Sequence, residues 1–90
     1  MFRFQPRRRI YTGPIILDSQ PNNWIKKHRS FASKEWFQSQ VRYGKWTKIH
    51  GKPNHYKIFA DITEGRKQIR ILIKIEHCET HVLVYHAHVL

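Results

Sequence analysis

Ninety residues suffice for one small domain and not for two. Seventeen Lys and Arg stand against six Asp and Glu, a net charge of +11, which points to a polyanionic partner, most often nucleic acid. Apolar residues at 40% and aromatics at 13% exclude a disordered composition, and a lone cysteine, Cys78, excludes an internal disulfide.

Residues 1–23 are expected to form an irregular basic arm. They hold three prolines, Gly13 and an Asn22-Asn23 pair. Arg7, Arg8 and Arg9 make a basic run, read equally well as a solvated arm or as phosphate contacts. No apolar stretch of signal length follows this start, and no run approaches a membrane span, so a cytoplasmic location is expected. Ile15-Ile16-Leu17 is read as an edge strand or as an apolar piece lying across the core.

Residues 24–90 are expected to form a single α+β domain. The spacing of Phe31, Trp36, Phe37 and Val41 predicts a helical segment over 24–43, with a possible break. Trp24 and Ile25 open a candidate shorter helix, with Lys26, Lys27, His28 and Arg29 at its basic end. Ser30 or Ser33 is the candidate N-cap, Glu35 suits the first turn, and Gly44 suits the end. The aromatic stripe reads as core. "HGKPN" is a turn signal.

Three strands are then predicted: "HYKIFADIT", "QIRILIKIE" and "HVLVYHAHV", joined by the turns "EGRK" and "HCET". Strict alternation sends Tyr56, Ile58, Ala60 and Ile62 to one face. It sends Ile69, Ile71, Ile73 and Ile75 inward and Arg70, Lys74 and Glu76 outward. In the last strand it groups Val82, Val84, His86 and His88 on one face, and His81, Leu83, Tyr85, Ala87 and Val89 on the other. The expected architecture is an N-terminal helical segment packed on a C-terminal antiparallel sheet of three or four strands.

Histidine is the natural proton donor or acceptor near neutral pH, which makes His81, His86 and His88 the catalytic candidates. The rival readings are an ordinary hydrogen-bonded histidine and a metal site, in which "HAH" would need help from His77 and Cys78; the spacing matches no established zinc pattern. For nucleic acid the candidates are Arg66, Lys67, Arg70, Lys74, Lys45, Lys48 and Lys52, with Trp46 and Tyr56 to stack on bases. His50 and His55 are interleaved with them. An ordinary solvated basic face explains the same cations. Only six acidic residues are present, which argues against two-metal nuclease chemistry.

The order strand, Gly-containing turn, basic strand, turn, aliphatic strand and terminal His motif in "YKIFADITEGRKQIRILIKIEHCETHVLVYHAHVL" resembles the C-terminal half of the RelE-like ribonuclease toxins, the HigB branch above all. It is similar also to other small toxin domains with a helix on an antiparallel sheet, such as the BrnT-like proteins. The resemblance implies a metal-independent endoribonuclease without cofactor, the toxin of a toxin–antitoxin pair. Its partners would be RNA, with a ribosomal association, and an acidic antitoxin protein. The alternative drawn from the residues themselves is a non-catalytic RNA- or DNA-binding module.

Overall fold

The computed structural model describes residues 10–28 and 31–90. The Arg7–Arg9 run, Arg29 and the N-cap candidate Ser30 lie outside the described residues. Among the described residues the chain is α+β, with two helices and one mixed sheet of five strands.

The order is β1 (Ile15–Leu17), α1 (Ser19–Lys27), α2 (Lys34–Tyr43), β2 (Thr47–Lys48), β3 (His55–Glu64), β4 (Lys67–His77) and β5 (Val82–Val89). In space the strands run β1-β5-β4-β3-β2. Two expectations are corrected. The sheet has five strands rather than three or four, and its first strand precedes the helices. The segment expected to be irregular opens α1 and carries β1 at the sheet edge, the edge-strand reading of Ile15–Leu17, which pairs in parallel with Val82–Val84. A three-residue apolar piece shows no partner in its own sequence, and the one it finds is 67 residues away. The predicted meander is β3-β4-β5, all antiparallel.

The helices begin where local chemistry stops the extended chain. The Asp18 side chain accepts from the Ser19 N–H at 2.8 Å, and Asn22 returns to the Leu17 carbonyl at 3.0 Å. Pro21 sits in the first turn of α1, where its missing N–H costs nothing. Ser33 caps α2 by accepting from the Trp36 N–H at 3.0 Å. Gly44 ends α2 because nothing larger fits. A Cβ there would lie 2.3 Å from the Gln40 carbonyl oxygen and 2.9 Å from Ile58. Gly65, at φ +64°, opens the two-residue turn between Glu64 and Lys67, the position where a type II′ hairpin takes glycine.

Both helices cover the same side of the sheet. Phe37 and Val41 of α2 and Trp24 of α1 pack on Ile58, Ile71, Ile73, Ile75, Val82, Val84 and Ala87 in one core. Trp24 stacks on Trp36, with centroids 6.2 Å apart, and meets Phe37 edge-on. Arg42 is structural: its guanidinium donates to the carbonyls of Tyr11 and Gly13 at 3.1 and 3.0 Å, tying residues 11–13 to α2. No helix among the described residues is long and apolar enough to cross a membrane.

Candidate nucleic-acid interface

Among the described residues no helix covers the opposite side of the sheet. Cross-strand pairing sets its side chains in rows, because paired residues share a face. One row runs His86, Lys74, Lys57 and Thr47 across β5, β4, β3 and β2. The next runs His88, Leu72 and Phe59, and beyond it Arg70 pairs with Asp61. On the other side of the first row stand Leu83, Glu76 and His55.

The histidines reach this face through a β-bulge. Lys74 pairs with His86 while its neighbour Ile75 pairs with Val84, so Tyr85 is an extra residue in β5. The unbroken alternation expected for the last strand is therefore corrected. Val82, Val84 and Ala87 share the buried face, each with no exposure, whereas His86 and His88 lie on the opposite face beside Lys74 and Leu72. Tyr85 is on that outer face as well, its ring edge-on to His55 with centroids 5.5 Å apart.

His86 and His88 are joined directly, Nε2 of the first to Nδ1 of the second at 2.8 Å. This bond has a chemical consequence. One of the two facing nitrogens must donate and the other accept. In either tautomeric arrangement of the neutral pair, the two remaining nitrogens are then one donor and one acceptor. Partial burial lowers the His86 pKa from its ordinary value, and the positive neighbours His88 and Lys74 push it further the same way. Burial raises the Tyr85 phenol, with Glu76 adding to the effect.

The backbone between the histidines is held from the side. β1 pairs with β5 only as far as Val84. Beyond that point Gln20, in the first turn of α1, takes over as a substitute strand. Its Nε2 donates to the Ala87 carbonyl at 2.9 Å, and its Oε1 accepts from the Ala87 N–H at 2.8 Å.

Phe59, 42% exposed, is flanked by cations. The Arg70 guanidinium lies 5.0 Å from its centroid and the Lys57 ammonium 5.7 Å. Arg70 also meets Asp61 at 3.4 Å, an exposed pair of little energetic weight.

The structure distributes the sequence candidates over several places. His86, His88, Arg70 and Lys74 come together on the outer face. His81 stands at the opposite end of β5, about 16 Å away along the strand, and holds Thr80 Oγ1 at 3.1 Å. Arg66 and Lys67 are exposed at the tip of the β3–β4 hairpin. Lys45, Lys48 and Lys52 are exposed around β2. Trp46 and Tyr56 pack against the core on the helix side, 5.3 Å apart, with the Trp46 indole donating to the Val41 carbonyl at 2.9 Å. Lys57, Phe59 and Tyr85 are the outer-face residues that sequence reasoning passed over. The first two were legible, since they alternate with Ile58 and Ala60. Tyr85 was not, because its position depends on the bulge.

No group of three or more His, Cys, Asp or Glu that could hold a metal ion occurs among the described residues. Compared with known protein families, with curated proteins and with solved structures, the chain finds no match.

Proposed function

We propose that this chain binds single-stranded RNA through the helix-free face of its sheet. The observation that carries the reading is the Lys57–Lys74–His86 row, flanked by the rings of Phe59 and Tyr85 on a chain of net charge +11. Adjacent lysines track a phosphate backbone, and aromatic rings on an open face stack on bases that a duplex would keep paired. RNA is favoured over DNA because the outward nitrogens of the histidine pair offer a donor and an acceptor to a 2′-hydroxyl. Titration of a labelled single-stranded RNA across salt concentrations tests it. Micromolar or tighter affinity at low salt, falling steeply as salt rises, is expected. Affinity indifferent to salt, or none at low salt, overturns the reading.

A second reading, metal-independent RNA cleavage, is favoured by the bonded histidine pair itself. The acceptor nitrogen would take the proton of the 2′-hydroxyl as its oxygen attacks the adjacent phosphorus. The bond from phosphorus to the 5′-oxygen would break, and the donor nitrogen would protonate that oxygen. Lys74 and Lys57 would hold the charge gathering on the phosphate. In this reading the chain acts as a ribonuclease toxin of the RelE-like kind, held in check by an acidic protein partner. His86→Ala or His88→Ala should then lower cleavage by about two to four orders of magnitude, far more than it weakens RNA affinity, and excess EDTA should have no effect. An intact RNA substrate after incubation with the parent protein leaves binding as the function.

A further inference from the structure

The RNA-binding reading leaves open what length of chain the face recognises, and the arrangement of charge on the sheet bears on that. Rows of a sheet lie about 6.8 Å apart along the strands, and neighbours within a row about 4.8 Å apart. The Lys57–Lys74–His86 row holds no carboxylate. On one side of it stands the exposed ring of Phe59 and on the other the ring of Tyr85, which the bulge turns outward next to His86. Past Phe59 the next row brings Asp61. Past Tyr85 the next row brings Glu76. A phosphate on one outlying row would compete with Asp61 for Arg70, and on the other would meet Glu76, whereas one on the central row meets two lysines and no carboxylate.

Resting on the RNA-binding reading above, we infer that the unit recognised by the sheet face is one dinucleotide step: a single phosphodiester on the Lys57–Lys74–His86 row, with one neighbouring base stacked on Phe59 and the other on Tyr85. Arg70 and Lys57 lie over the Phe59 ring, so a base that stacks there takes the place of a cation, which is then free to meet the backbone phosphate. Tyr85 is partly exposed on the same face and packs at 73° to the His55 ring, so a base would stack on the part of the phenol that His55 leaves uncovered.

The test uses the full chain and three probes: single-stranded octaadenylate, its deoxy counterpart, and an octamer of abasic sugar-phosphate units. Phe59→Leu and Tyr85→Leu should each weaken octaadenylate binding about tenfold to a hundredfold, the usual loss for one stacked base. Both should leave the abasic octamer bound as the parent binds it. Lys57→Gln and Lys74→Gln should weaken all three probes and reduce the salt dependence, because they remove phosphate contacts. Comparable weakening of the deoxy octamer by the leucine variants supports the step, since neither ring nor lysine reads the sugar. If the leucine variants bind octaadenylate like the parent while the lysine variants do not, the face is a charge strip. The dinucleotide step is then overturned and RNA binding stands. If none of the four variants changes any affinity, RNA binding by this face falls as well. All four lie on the helix-free face, so unchanged melting curves show that binding alone was altered.

Discussion

Ile73 and Lys74 are consecutive residues of β4, yet they belong to different environments. Ile73 has no exposure, enclosed in the core that Phe37, Val41 and Trp24 help to form. Lys74 stands between Lys57 and His86 on a side that no helix among the described residues covers. The two faces of the sheet divide stability from chemistry. Substitutions on the covered face should act through the fold, and those on the open face through what the protein binds.

The largest break in that comparison is a charge moved to the wrong side. Ile73→Asp should unfold the domain, because the carboxylate would enter an apolar core with no partner. Thermal denaturation checks this, and an unaltered transition would contradict the placement of β4. Lys74→Gln, one residue on, should leave the transition close to that of the parent.

A smaller effect is expected at the seam between the faces. Gln20→Ala removes both hydrogen bonds to Ala87 and leaves its N–H and carbonyl without a protein partner. A cost of about 1–3 kcal/mol follows, the usual scale for an orphaned partly buried group. Amide exchange at Ala87 should speed up more than exchange at Ile73, since the loss is local to the end of β5. Equal acceleration at both would show that Gln20 supports the whole sheet rather than this edge.

The smallest effect concerns pH. The His86 pKa is lowered in the folded protein, so the folded state disfavours its charged form. Between that lowered pKa and the ordinary histidine value near 6.5, the unfolded chain binds more protons than the folded one. The contribution of His86 to stability is therefore present above pH 6.5 and lost as pH falls through the folded pKa. The groups facing it are Lys74 and Lys57 along its row, His88 bonded to it, and Tyr85 beside it, with Glu76 one row away. A bound phosphate would oppose the two lysines, so polyanion binding should raise the His86 pKa and strengthen as pH falls. Following the imidazole signals by NMR with and without RNA measures this. An upward shift sharpens the contrast between faces, and no shift would place the phosphate away from His86.

Much of the covered face was legible in the chain. Ile69, Ile71, Ile73 and Ile75 alternate with polar residues and Leu72, and Ser33, Glu35 and Gly44 punctuate α2 as short-range chemistry dictates. The α+β class, the β3-β4-β5 meander and the outward cations Arg70 and Lys74 followed from that periodicity. Trp46 and Tyr56 show its limit. Their type suggested base stacking, but Tyr56 shares the alternation of Ile58, and Trp46 joins it on the helix side through its bond to Val41.

What the sequence by itself determined is where extended and helical segments exist and which residues within each share a side, because periods of 2 and 3.6 are properties of neighbouring residues. What only the tertiary structure decided is how those segments register. The pairing of Ile15–Leu17 with Val82–Val84 spans most of the chain and leaves no local trace. The extra residue at Tyr85 is visible only against β4, where Lys74 and Ile75 choose His86 and Val84. A one-residue offset moves every later side chain of a strand to the other face, which puts His86 and His88 opposite the core that Val82 and Val84 share.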